Sequence, residues 1–368
     1  MNLPVIRRPQ LAVHAALFTL VVLGVAITAF SRASSFEPQV DQAVLDGRMA
    51  KSFETHYDQA FPARGFGISL WAAIDYLIFG EAQSGVVLGR DGWLYTDEEF
   101  VVPKAAEQQV ERNFAHIREV RDQLAAHGVK LVVALVPAKS RVYPEHLRKR
   151  KPPAFREGLY AQAEEELTAN GIASPDLLQS LISGKRDGPT FLRTDTHWTP
   201  QGAAQAAVVV AAALRRMLPV SAEASAGFTT VTAAKRKHHG DLLNFLPLDP
   251  YFSRLLPPLD EVSTASTTAA GGDDLLGAAA APRIALVGTS YSANPEWNFV
   301  GDLRQALSED IANYAKDGRG PFQPMFDYLQ SEDYKQAPPR AVIWELPERY
   351  LPYDKPPELA AKHEDGHP

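Results

Sequence analysis

Two short strings carry an acid, a base and a nucleophile: Asp195-Thr196-His197-Trp198 and, further along, Gly288-Thr289-Ser290-Tyr291-Ser292. A serine hydroxyl is a weak nucleophile at neutral pH and needs a base within hydrogen-bond reach. His197 is that candidate base. Asp195, two residues earlier, projects to the same side in an extended segment, where it can orient the imidazole and stabilise the imidazolium. Gly288 lets the chain turn sharply before Ser290, whose N–H, freed from a strand ladder, can face a developing oxyanion. Together these residues describe an acyl-transfer centre, with activity expected to fall below about pH 6 as His197 protonates. A Gly-x-Ser-x-Ser string also arises by chance, and Asp-x-His ahead of a helix can be capping alone. What points to a site is the two strings together, each beside an element of one sheet.

The elements that must position them follow from periodicity. Residues 129–136 form a continuous β-branched and leucine run, the pattern of a strand buried on both faces. Pro137 closes that run, and residues 138–141 would lie at its C-terminal end. Residues 283–287 and 341–345 read as two further strands, the first leading directly into Gly288. Helices are expected over 68–79, 104–127, 155–170, 175–183 and 299–308. Another runs from an N-cap at Thr199 and Pro200 at the first helical position to about 214. Residues 86–95 read as a hairpin around Arg90-Asp91-Gly92. The fold class is α/β: a three-layer sandwich with a mostly parallel central sheet and ligands at the carboxyl ends of its strands. Residues 219–257 read as loop-rich, 259–281 as a low-complexity surface excursion, and the chain from Pro352 as a frayed tail.

The N-terminus is of a different kind. Arg7 and Arg8 precede residues 11–30, which carry no formal charge and, as a helix, span roughly 30 Å. The arginines place the N-terminus in the cytoplasm and the remainder across the membrane. A cleaved signal peptide would have a shorter apolar stretch, about 7–15 residues, and a small-x-small site. The expected organisation is an anchor over 1–30, a juxtamembrane linker over 31–60, one α/β domain over 61–351 and a tail over 352–368. A net charge of −7 argues against a nucleic-acid partner. The absence of cysteine excludes disulfides, thiolate chemistry and cysteine-ligated zinc.

The two strings, in this order, resemble the SGNH-hydrolase-like domain of periplasmic alginate O-acetyltransferases of the AlgJ and AlgX type. Phe61-Pro62-x-Arg64, Gly89-x-Asp91-Gly92-Trp93-Leu94, Val136-Pro137-x-Lys139 and Gly240-Asp241-Leu242 carry the resemblance over roughly residues 55–350. The motif order is permuted relative to ordinary SGNH esterases, whose serine comes first. The resemblance implies O-acetylation of an exopolysaccharide at the periplasmic face of the inner membrane. It implies an acetyl-Ser290 intermediate, His197 as base toward a sugar hydroxyl, and no bound cofactor. The acetyl donor would be delivered by a multi-span membrane acyltransferase. The anchor, and the few residues after Tyr350, too few for a carbohydrate-binding module, liken the chain more to the AlgJ type.

Other residues are weighed against plainer readings. Arg319 is a candidate for the oxyanion or an acidic sugar, against a solvated loop arginine. Trp297 and Trp198 are candidates for stacking on a sugar, against core packing. Tyr291 is read as packing, and Lys139 as approaching the site from a strand end or lying on the surface. His238-His239-x-Asp241 invites a metal, but adjacent histidines on a loop do not converge on one ion without further ligands. No metal is expected. The same triad would serve an esterase or deacetylase. A non-catalytic glycan-binding scaffold is the reading from another class.

Overall fold

The computed structural model describes residues 8–37, 47–218, 227–269 and 282–354, which form two units. The described residues up to Gly80, with Pro247–Leu256, make the first. Its helices are α1 (Arg8–Ala33), α2 (Arg48–Ala60) and α3 (Arg64–Ile74), the last continuing as one π turn over Asp75–Phe79. Within α1, the 22 residues Ala12–Ala33 are long and apolar enough to cross a membrane. The helix expected over 68–79 therefore starts earlier, at Arg64. Arg7 and the 38–46 part of the expected linker lie outside the described residues.

The second unit begins at Glu81, later than the expected domain start at 61. It opens with the hairpin β1 (Val86–Leu88) and β2 (Leu94–Thr96), whose turn holds Asp91 and Gly92 at φ 55° and 75°. Then come α4 (Ala106–Ala126), β3 (Lys130–Val136), α5 (Lys139–Val142), α6 (Ala154–Ala169), α7 (Leu177–Gly184) and α8 (Pro200–Met217). Two short ribbons follow, from β4 (Phe228–Thr232), β5 (Arg236–His238), β6 (Asp260–Val262) and β7 (Ala265–Ala269). β4 pairs with β7 and β5 with β6, both antiparallel. The chain continues through β8 (Ile284–Val287), α9 (Ser290–Ala293), α10 (Phe299–Leu307), β9 (Ile311–Asn313), α11 (Phe322–Gln330), α12 (Glu332–Gln336) and β10 (Ala341–Pro347).

β3, β10, β8 and β9 pair in that order as one parallel sheet. Successive side chains of a strand point to opposite faces, so each apolar run feeds two cores. Val132, Ala134, Leu286 and Ile343 pack with α7, α8 and α10, where the alanines of α8 allow close approach. Val133, Leu135, Val287 and Trp344 pack with α4, α6 and α11. This is the expected three-layer sandwich, and its carboxyl edge gathers the ends of β3, β8 and β10.

Three expectations need correction, and one strand was not foreseen. The loop-rich 219–257 and the excursion 259–281 contain β4 to β7, although 219–226 and 270–281 lie outside the described residues. These strands are three to five residues long, β4 and β7 rich in threonine and β5 and β6 mostly charged, so no apolar alternation marked them. β9 escaped the pattern for the same reason: it is a three-residue edge strand. The tail does not begin at Pro352, because Asn113 Nδ2 donates to the carbonyls of Leu351 (2.7 Å) and Tyr353 (3.0 Å). Residues 355–368 lie outside the described residues.

Candidate active site

The turn after β8 sets Ser290 at the sheet's carboxyl edge as the first residue of α9. Thr289 caps this turn, and beneath it lies Glu345 of β10, fully buried. The Glu345 carboxylate accepts from Thr289 N (2.7 Å), Thr289 Oγ1 (3.0 Å) and Ser292 Oγ (3.1 Å). Burial pushes its pKa up, against those hydrogen bonds. Gly288 is needed for room, since a Cβ there would lie 2.5 Å from Glu345 Oε2. The expected role of this glycine in a sharp turn gives way to one of close approach, for it has no positive φ.

The acid–base string lies in a loop closed by a bridge between Phe191 and Trp198, just before the Thr199 cap of α8. Asp195 Oδ1 accepts from the His197 N–H at 2.9 Å and from His197 Nδ1 at 2.7 Å. A local turn of the Asx kind, not the alternation of an extended strand, brings the pair together. His197 Nε2 lies 2.7 Å from Ser290 Oγ. With Nδ1 carrying the proton shared with the carboxylate, Nε2 is free to accept from the serine hydroxyl. The loop is held from several sides. Lys139 Nζ donates to the carbonyls of Leu94 (2.6 Å), Arg193 (2.9 Å) and Asp195 (2.9 Å). Asp260 accepts from the N–H groups of Arg193 (3.0 Å) and Thr194 (2.9 Å). A Cβ at Gly240 would lie 2.1 Å from the Thr194 carbonyl oxygen, so only glycine lets this segment pass.

The second oxygen of Asp195 accepts from His238 Nε2 (2.9 Å) and the Asp241 N–H (3.0 Å). His238 Nδ1 in turn lies 3.3 Å from Glu296 Oε2, and Glu296 also pairs with Arg236. Burial alone would push the Asp195 carboxyl up. The charge and hydrogen bond of His197, with the His238 bond, outweigh this and hold it well below the usual carboxylate range. His197 is the mirror case: burial would lower its pKa, and Asp195 raises it above the usual histidine value. His238 is raised first by its bond to Asp195. Among the described residues Asp195, His197 and Asp241 bring one donor atom each within 4.8 Å of one another. That grouping is the hydrogen-bonded relay itself, since His197 Nδ1 is already engaged by Asp195. His238 and Asp241, singled out for a metal, converge on this carboxylate; His239 is exposed.

The remaining candidates fall into three groups. Tyr291 is buried: its hydroxyl donates to Thr196 O (2.8 Å), accepts from Arg349 Nη1 (2.9 Å), and its ring lies 4.8 Å from that of His197. Trp297 is buried and stacks on His197 at 5.5 Å, and Trp198 is enclosed by Tyr291 and Phe299, so neither offers a sugar a free face. Lys139 is fully buried and belongs to the scaffold of the loop; burial lowers its pKa to about 8. Arg319 is exposed on the loop after β9, near Asp327, and no contact joins it to the triad. The sequence reading missed His238 on the relay, Asp260 and Glu345. All three act across long sequence separations, and only the last residue of a predicted strand gave any signal, as a charge in an apolar run.

Comparison with known proteins gives the family. Residues 86–348 match the family described as SGNH hydrolase-like domain, acetyltransferase AlgX. The probable alginate O-acetylase AlgJ of Pseudomonas aeruginosa is 47% identical over 359 residues, covering 94% of this chain and 91% of that protein. The solved O-acetyltransferase domain of Pseudomonas putida AlgJ superposes with a TM-score of 0.68 at 48% identity, over 73% of this chain and 92% of that one. Pseudomonas aeruginosa AlgX shares the fold, with a TM-score of 0.55 at 24% identity over 81% of this chain and 66% of that one. The chain belongs to the AlgJ/AlgX family of SGNH hydrolase-like acetyltransferases.

Proposed function

We propose that this chain transfers acetyl groups to hydroxyls of an exported polysaccharide of the alginate type through an acetyl-Ser290 intermediate. The observation that carries the reading is the continuous relay from Ser290 Oγ to His197 Nε2 and from His197 Nδ1 to Asp195, 2.7 Å at each step. In the first half-reaction His197 takes the Ser290 proton as Oγ bonds to the donor's acetyl carbon. The bond from that carbon to the donor breaks, and the leaving group takes the proton from Nε2. In the second, His197 takes the proton of a sugar hydroxyl whose oxygen attacks the same carbonyl. Ser290 departs and regains the proton. The Ser290 N–H heads a helix, where no i−4 carbonyl claims it, and is the candidate oxyanion donor.

The family's relatives are named for alginate O-acetylation, which supports a uronate polymer as acceptor. The apolar helix supports a single-pass anchor, and Arg7 and Arg8 ahead of it support a cytoplasmic N-terminus with the second unit periplasmic. The acetyl donor is taken to reach Ser290 from a multi-span membrane acyltransferase, with no cofactor held by this chain. The test is to incubate the full chain with an acetyl donor ester and alginate oligosaccharides and weigh the products. Acetylated oligosaccharide, lost on Ser290→Ala, is expected. Acetate without acetylated sugar would replace transfer by hydrolysis, and unchanged acetylation in Ser290→Ala would leave only a scaffold.

A further inference from the structure

The helix that opens at Arg64 has its polarity inside out. Its buried positions are the small Ser69 and Ala73, 2% and 4% exposed, packed toward residues 247–256 of the same unit, where Ser69 Oγ donates to Asp249 O at 3.2 Å. Phe66 packs on Tyr251 at 5.3 Å, but the large apolar side chains further along α3 and its π turn face outward: Trp71 and Leu77 are 63% exposed, Ile78 71% and Phe79 63%. Gly67, Leu70, Trp71, Ile74 and Ile78 recur at the i, i+3, i+4, i+7 spacing of one helical stripe. Between Arg64 and Phe79 the only formal charge is Asp75. A continuous outward stripe of this kind marks a surface that something apolar covers.

The same unit shows what lies nearby. The last turn of α1 is pinned to α2, with His56 Nε2 3.2 Å from the Arg32 carbonyl and the Phe36 and Phe53 rings 5.4 Å apart. From His56 the chain reaches Arg64 through the end of α2 and a corner closed by the Arg64–Asp58 ion pair (2.9 Å). Four helical steps and four extended ones cover at most about 20 Å. The start of α3 is thus leashed to the end of the membrane-spanning helix. Apart from the Trp71 indole, the stripe offers no side-chain hydrogen-bonding group, whereas protein interfaces carry about one hydrogen bond per 100–200 Å². Tryptophan beside aliphatic side chains is the composition of the headgroup boundary.

We propose that α3 and the following π turn lie in the membrane–water interface, with Trp71 and Ile78 among the lipid acyl chains and Leu77 and Phe79 flanking them at the boundary. The first unit then holds the membrane by a span and by a second, in-plane helix. This rests on the single-pass anchor of the preceding section, and the test separates the two. Trp71 is exposed, while Trp93, Trp198, Trp297 and Trp344 are buried, so it alone can report lipid contact. The full chain is reconstituted in phosphatidylcholine–phosphatidylglycerol vesicles, some lipids carrying bromine near the headgroup end of the acyl chain. Loss of most of the Trp71 emission is expected, read as the difference between the natural chain and Trp71→Phe. An unquenched, water-like Trp71 component in chain that resists alkaline carbonate extraction would overturn the proposal and leave the stripe to a protein partner. Extraction of the whole chain by carbonate would overturn the anchor, and the in-plane helix with it.

Discussion

Both oxygens of Asp195 are occupied, each by two donors, and this settles how the relay titrates. His197 is raised above its ordinary value of 6.5 because Asp195 outweighs burial. A base with a raised pKa is lost earlier as the solution is acidified. The acid limb of kcat/KM is therefore expected above pH 6.5, not below about pH 6 as the residues alone suggested; a pH–rate profile checks it. His238→Leu removes a hydrogen bond to a charged group, a loss of about 1.5–3 kcal/mol or roughly ten- to a hundredfold in rate. It also leaves His197 as the main partner of Asp195, so the limb moves further up. His238→Gln, which keeps a donor, restores much of the rate. Equal losses in both variants with an unmoved limb would reduce His238 to packing.

At the scale of elements, the supports of the site come from strand ends and one helix cap. Glu345 acts only as an acceptor toward Thr289 N and its hydroxyl neighbours. Glu345→Gln turns an NH₂ toward one of these donors and leaves a buried group unmatched. The expected cost is about 1–3 kcal/mol by denaturant unfolding, with a loss of Ser290 labelling by a fluorophosphonate beyond what stability explains. Thr199→Ala removes the cap of α8, whose hydroxyl accepts from Gly202 N at 3.0 Å, at a cost of about 1 kcal/mol. Strands β3, β8 and β10 were legible because each is a run of apolar residues with two faces to bury. The Asp195, His197 and Ser290 trio was legible because its chemistry demands those types. Lys139, His238, Asp260 and Glu345 were not, since each derives its role from a backbone or carboxylate that only the folded sheet brings near. Lys139 illustrates the difficulty: a lysine after a strand reads as solvated until three carbonyls converge on it.

For the whole molecule, charge is the quantity that matters to the acceptor. The chain carries a net charge of −7, and a uronate polymer is itself an anion. Long-range repulsion slows their encounter and is screened beyond about 10 Å at 0.1 M salt. KM for the polymer is thus expected to fall as ionic strength rises, while a neutral acceptor shows no such trend. A rise with salt would instead locate a local cationic groove that dominates the field.

The pairing of Trp344 with Val287 in the parallel sheet sets Glu345 directly below Gly288. Because side chains alternate along a strand, a slip of one position would put an indole or a leucine where the carboxylate belongs. Even with its layers kept, the serine of such a molecule would have no seat. On the acetyl-Ser290 chemistry proposed above, covalent capture of Ser290 is therefore expected to count correctly threaded sheets, and the yield of tagged protein to serve as an assay of folding fidelity for preparations and variants alike.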